Sequence, residues 1–431
     1  MVSSRRREDR MSQSERLALD GGQPTRNEND HPWPQWPMRS MEEWTQRIEP
    51  ALREVYFSGV EGLPEPRSEA FGHRLAEFCG TKYGRMLVHG TDAIAAALAA
   101  ALDLDAWGPG GEVILPNYTF IASASAAIDR RCTLAFVDID PTTFTIDPEA
   151  AEAAVRPGIT RAIMPVHLAG HPADMGAINA IAAKYNLVVV EDCAQAHAAE
   201  YDRRRVGSIG HVGAFSFQST KNLTSGEGGA VITNDPEIDA RVVAFMNVGR
   251  HPTGGRWEYP RLGWNYRPSE YLAALLTVRL ADLEAQTLHR EKMAGYLSRR
   301  LAEIPGVVPP RTAPWCTRHA YHLYAALVDP ARFGHAPRKR IVDALTAEGV
   351  PAMEGYTTPL SEQPALQYLR EKYPDAIRVL PCPNTQSACD HSVWFAQSML
   401  LGDTRDMDDI ARAFAKVQRI MSGPASARQA S

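Results

Sequence analysis

The sequence predicts an α/β protein of two domains, a larger one on a mostly parallel central sheet and a smaller C-terminal α+β one. Three observations lead there. Short apolar, β-branched runs at 113–115, 134–137 and 187–190 read as strands buried on both faces, the habit of parallel sheets. Helical patterns alternate with them, the clearest over 174–184 with Met175, Ile178 and Ile181 on one face. A chain of 431 residues is also too long for one small core.

Composition narrows the class. Apolar content of 44% and charged content of 23% are ordinary for a soluble globular enzyme. A net charge of −5 gives no electrostatic footprint for nucleic acid. No run approaches the roughly 18 apolar residues of a membrane helix, so no membrane association is expected. The N-terminal Arg5, Arg6, Arg7 and Arg10 precede no apolar core of a secretory signal, and a cytoplasmic protein is expected. The six cysteines lack CxxC spacing, which argues for reduced thiols and against a zinc site or any metal. Cys193 reads as a small buried filler.

Residues 1–40 read as a tail, mostly disordered to about Asn29 because its apolar residues are too few to offset ordering. The segment HPWPQWP (31–37) is stiffened by prolines and lies over the domain or a partner subunit. The large domain, 41–283, opens with helices over 41–57 and 68–79, the second carrying Phe71, Leu75 and Phe78 at core spacing. A strand at Met86 then runs through His89-Gly90-Thr91-Asp92 into an Ala-rich helix. Such a strand–turn–helix offers N–H groups and a positive dipole end to phosphate; an ordinary N-cap is the plainer reading. The 113–115 strand leads to Phe120, and strands recur at 134–137 and 162–166.

Residues 187–234 organise the rest. The 187–190 strand ends in Glu191 and Asp192; a strand at 213–217 is followed by Lys221, and Gly226, Gly228 and Gly229 precede a third strand at 230–233. An acid and a lysine thus come to one crevice at the carboxyl edge of the sheet, where ligands of open α/β folds sit. Singly, such an acid is as well read as a cap and such a lysine as a solvated side chain. Together they suit pyridoxal 5'-phosphate, whose pyridine nitrogen needs an aspartate and whose aldehyde needs a lysine.

EDCAQAHAA followed by GAFSFQSTKNLTSGEGGAVITND resembles the DegT/DnrJ/EryC1/StrS family of pyridoxal-phosphate-dependent sugar aminotransferases, and the resemblance runs from about Gly59 to the last helix. It implies an aspartate-aminotransferase-like fold (fold type I). It makes Lys221 the Schiff-base lysine and Asp192 the partner of the pyridine nitrogen. Gln195 would bond the cofactor's phenolic oxygen, Phe120 would stack on its ring, and Gly90, Thr91, Asp92 and Ser216 would hold its phosphate. The loop at 247–265 leads into Gly263-Trp264-Asn265-Tyr266-Arg267, similar to a family segment whose asparagine reaches the neighbouring subunit's phosphate. Asn265 thereby implies a homodimer with shared active sites.

A helix over 269–283, with Leu272, Leu276, Leu280 and Leu283 along one side, closes the large domain. The small domain, 284–421, should hold a long helix from Glu284, a strand at 321–328, a helix at 339–348 and a last helix at 406–420, before a tail at 422–431. Tyr356 lies in a loop similar to one that borders the family's substrate site; a structural aromatic is the other reading. Arg250, His251 and Arg267 are candidates for the donor carboxylate, and Gln218 is a further candidate at the substrate.

The expected reaction carries an amino group from glutamine or glutamate to a ketone. The WPQWP stretch, Gln218 where many sugar enzymes have His, and Val393-Trp394 look closer to inosose aminotransferases and aminohydroxybenzoate synthases. A keto-cyclitol or keto-sugar of antibiotic biosynthesis is therefore the expected acceptor. The alternatives are a sugar dehydratase, against which Lys221 argues because those relatives carry His there, an aminohydroxybenzoate synthase-like enzyme, and a non-catalytic cofactor-binding partner.

Overall fold

The computed structural model describes residues 16–63, 66–104, 108–250, 255 and 257–423. The outer parts of both expected tails, and the candidate His251, lie outside the described residues. The helices are α1 (Glu49–Ser58), α2 (Pro66–Cys79), α3 (Gly90–Ala101), α4 (Ile121–Asp129), α5 (Pro148–Ala154), α6 (Met175–Tyr185), α7 (Pro236–Met246), α8 (Glu270–Leu301), α9 (Arg338–Ala347), α10 (Pro364–Lys372), α11 (Pro383–His391) and α12 (Thr404–Met421). The principal strands are β1 (Tyr83–Leu87), β2 (Gly111–Pro116), β3 (Cys132–Val137), β4 (Thr160–Ile163), β5 (Val188–Asp192), β6 (Val212–Ser216), β7 (Gly229–Thr233), β8 (Leu323–Val328), β9 (Ile377–Val379) and β10 (Ser392–Ala396).

An eight-stranded sheet in the order β1-β7-β6-β5-β4-β2-β3-β9 forms the large domain. Only β7 runs against its neighbours, β1 and β6; the remaining pairs are parallel. Helices cover both faces, which is why the central strands carry unbroken apolar runs. The small side chains from Ala93 to Ala100 in α3 are all buried and let that helix lie close on one face. The parallel register sets Asp192 opposite Ala214, so β5 and β6 deliver their carboxyl ends side by side. In the small domain, Val307–Val308, β8 and β10 form an antiparallel sheet. Ile410, Phe414 and Val417 of α12 are buried in its core. No described helix is long and apolar enough to cross a membrane.

Three features depart from the sequence expectation. Helix α8 runs unbroken for 32 residues, so the expected boundary near 284 falls inside one helix. It serves two cores at once: Ala273, Leu276 and Leu283 pack in the large domain, Met293, Leu297 and Leu301 in the small one. Strand β9, although late in the chain, joins the edge of the large sheet beside β3.

The N-terminal segment is the third. Leu17 is buried in the small-domain core, and the Arg26 guanidinium, buried, reaches Asp406 at 2.7 Å and Asp409 at 2.9 Å. The guanidinium lies 3.7 Å over the Trp33 ring, whose indole N–H donates to Gly349 O at 2.9 Å. From Leu17 to Pro37 the chain is thus a strap and not a loose tail. Ion pairs and two tryptophans hold what its few aliphatic residues could not.

Candidate active site

Strand β5 ends in two acids that point to different work. Nδ1 of His167 accepts the Ala173 N–H, so its Nε2 carries the proton and donates to Glu191 at 3.0 Å. Glu191 also accepts the backbone N–H of Gly207, Ile209 and Gly210. Burial would raise its carboxyl, but these bonds outweigh burial and hold it below the usual range. Glu191 is a structural pin, and its oxygens are taken.

Asp192 faces the crevice. One oxygen accepts the Ser123 hydroxyl at 2.7 Å and the other the Ala194 N–H at 3.1 Å. Burial dominates and raises its pKa, opposed by these bonds and by the charge of Lys221. Lys221 is displaced the other way: burial lowers its amine, and the Asp192 charge works against that. Each feels the other across one space.

The turn that carries Lys221 is closed by Gln218. Its carbonyl accepts the Lys221 N–H at 2.9 Å, and its side-chain oxygen accepts the Thr220 N–H and hydroxyl. Gln218, expected at the substrate, spends its side chain on this turn. On the far side of the turn, Asn222 donates to Ala320 O and meets the His322 ring at 3.1 Å.

Helix α4 begins beside Asp192. Phe120, its N-cap residue, turns its ring outward and is 57% exposed, while Ser123 one turn later is buried against Asp192. The Thr119 hydroxyl lies 3.2 Å from that of Ser123. An exposed apolar ring one helical turn from the serine that holds a buried carboxylate suits a flat heteroaromatic ligand. A cavity of about 210 Å³ opens next to Phe120, bounded by Thr119, Tyr356, Thr358 and Gln363.

The start of α3 completes the frame. His89 gives it no side-chain cap, so the first-turn N–H groups remain available to an anion. A Cβ on Gly90 would stand 2.5 Å from Ser216 Cβ, and one on Gly229 would stand 2.1 Å from His89 O. Only glycines let the helix end, β6 and β7 come this close. Thr91 is exposed, and the Asp92 carboxylate lies 2.9 Å from the His89 ring, leaving its backbone for the anion.

Gln195, buried, accepts the Ala169 N–H at 2.8 Å and donates to the Tyr356 hydroxyl at 3.3 Å. Tyr356 packs edge-on against Tyr118 and Trp394. Tyr356 thus brings a small-domain ring to the site, beside Thr358 and Gln363 of the same domain. Arg250 and Arg267 converge on the Asn247 side-chain oxygen at 3.4 and 3.0 Å. Asn265 is exposed, its backbone bridged to Asn247.

The structure brings Asp192, Lys221, Gln195, Phe120, Gly90 and Ser216 around one sheet edge. Sequence reading did not find Ser123, His322 or the carboxyl-end role of Thr119, since only folding brings them near Asp192 and Lys221. The buried acid, the lysine, the open ring and the uncapped helix end together fit pyridoxal phosphate.

Fold and site define a fold type I aminotransferase. The DegT/DnrJ/EryC1/StrS aminotransferase family matches residues 43–415, and the chain belongs to that family. The L-glutamine:2-deoxy-scyllo-inosose aminotransferase of Streptomyces kanamyceticus is 37% identical, covering 94% of this chain and 97% of its own. The enzyme of the same name from Streptoalloteichus tenebrarius is also 37% identical, with the same coverage. Among solved structures, 3-amino-5-hydroxybenzoic acid synthase superposes with a TM-score of 0.80 at 29% identity, covering 89% of this chain and 98% of that one.

Proposed function

We propose that this enzyme binds pyridoxal 5'-phosphate and moves an amino group from glutamine or glutamate to a keto-cyclitol, or to a keto-sugar of similar size. The observation that carries the reading is the convergence of buried Asp192 and half-buried Lys221 at adjoining strand ends. When bound, the cofactor supplies an electron sink for the carbon that loses its proton.

The chain's residues divide the remaining work. Asp192, held by Ser123 and Ala194, accepts the pyridinium N–H, and that cation compensates the burial of the carboxylate. Phe120 would cover one ring face, the second N–H of the Gln195 amide would serve the phenolic oxygen, and the α3 N-terminus with Gly90, Thr91, Asp92 and Ser216 would hold the phosphate. Lys221 anchors the cofactor covalently. As a free amine it would take the proton from the donor's α-carbon and pass it to the cofactor's aldehyde carbon; burial already favours the neutral base this needs. Arg250 and Arg267 offer guanidinium groups to the donor carboxylate, and His251, next to Arg250 in sequence, is the third candidate. Asn265, exposed, completes the phosphate site of a second copy in a homodimer.

The acceptor reading draws on the names of the relatives and on the compact cavity beside Phe120, where Tyr356, Thr358 and Gln363 present polar groups suited to a hydroxylated ring. It is tested by converting the enzyme to its aminated form with glutamine, then adding scyllo-inosose, 2-deoxy-scyllo-inosose or a nucleotide-linked keto-sugar. Return of the original absorbance with the free cyclitols supports the reading. Response to the nucleotide sugar alone overturns it.

A further inference from the structure

Arg290 projects from the middle of α8 into the junction of the domains and is fully buried. Its Nε donates to Gln397 Oε1 at 2.8 Å. Among the described residues, no protein acceptor reaches Nη1 or Nη2. No carboxylate acts on the group either: burial alone shifts it, down to about 9, which leaves the guanidinium charged at neutral pH.

The neighbours cannot offset that charge. The Trp36 ring lies 5.3 Å from the guanidinium carbon, and its indole N–H, also buried, likewise has no acceptor. His197 and His322 are held neutral by burial, His197 down to about 3, and the charges of Lys221 and Arg290 push both the same way. A π face, an amide oxygen, uncharged imidazoles and N–H donors surround a full positive charge. A buried charge is retained only when paired, and a water molecule would satisfy the N–H groups without neutralising it.

We propose that Nη1 and Nη2 of Arg290 bind one small monovalent anion of halide size. The size follows from enclosure: Arg290 has no exposed surface and Trp36 stands across it, so a donor's carboxylate on its carbon chain cannot reach. Trp36 also borders a cavity of about 290 Å³, with Arg39, Arg279 and Asn222 in its lining. Arg279 is depressed chiefly by burial, with the Glu43 charge opposing that and Arg39 adding to it. Arg39, Arg47 and Arg279 outnumber Glu43 and Asp282 in the lining, and a recess of net positive charge favours anions. The anion would neutralise the interior behind the Lys221 turn, where Asn222 meets His322. This inference does not depend on the acceptor or donor proposed above.

The test uses the holoenzyme. Crystals soaked in sodium bromide should give an anomalous peak within about 3.5 Å of Arg290 Nη1 or Nη2. Melting in sodium chloride should exceed melting in sodium gluconate of equal ionic strength by about 2 °C, and Arg290→Met should remove the difference. The bromide map needs no variant, so the proposal stays testable if Arg290→Met does not fold. No peak at Arg290, equal melting in the two salts, or a full chloride effect in Arg290→Met would each overturn it.

Discussion

Asp192 and Lys221 are each pushed by burial toward their uncharged forms, and this has measurable consequences. The folded chain holds a proton on Lys221 less tightly than the unfolded chain, whose lysine titrates near 10.4. Below that value the unfolded state binds more protons, so folded stability attributable to this site rises with pH from the depressed folded value to about 10.4. The melting gap between the apo wild type and Lys221→Met should therefore narrow from pH 7 to pH 10; a constant gap would contradict the burial argument. Turnover should fall by about 10²–10⁴ or more in Lys221→Ala, as read by amino transfer from glutamine. Ser123→Ala removes a hydrogen bond to a charged group, worth about 1.5–3 kcal/mol, and should weaken cofactor affinity at least about tenfold in a fluorescence titration. Asp192 and Lys221 were legible because one ends its strand and the other sits in the turn just past the next. Ser123 was not: its partner is 69 residues away, and nothing in its local sequence marks a serine that faces a carboxylate.

The start of α3 rests against β6 without room for a methyl group. Gly90→Ala should force the helix end away from Ser216 and weaken cofactor affinity about tenfold, while a circular dichroism melt changes little; unchanged affinity would show that this close approach does not shape the phosphate site. The strands that frame the site were readable because burial on both faces leaves apolar runs, as in β2, β3 and β5. Strand β9 was not, since three residues, Ile377–Val379, carry no period and become a strand only by pairing with β3. The continuity of α8 was hidden for a different reason. Its apolar face changes partner between Leu283 and Met293, so its pattern imitates two helices.

Over the whole chain, the strap from Leu17 to Pro37 ties the N-terminus to α12 and then passes Trp36 over Arg290. Arg26→Ala would remove the buried cation that Asp406 and Asp409 share, leaving Asp409 to the more exposed Arg412, a loss of about 1.5–3 kcal/mol; urea unfolding would report it, and an unchanged midpoint would return the strap to the status of a tail. Asn265 bears on assembly. If it serves a second copy's phosphate site, Asn265→Ala and Lys221→Ala should each be inactive alone, yet regain part of the activity when mixed subunits exchange; no recovery would mean that each subunit works by itself. The claim beneath all of this is that Asp192 and Lys221 hold the same coenzyme. Borohydride reduction of the protein with pyridoxal phosphate, followed by peptide mass mapping, tests it most directly. The account predicts the added mass on Lys221, with weaker incorporation in Asp192→Ala, and a label on another lysine or none at all would contradict it.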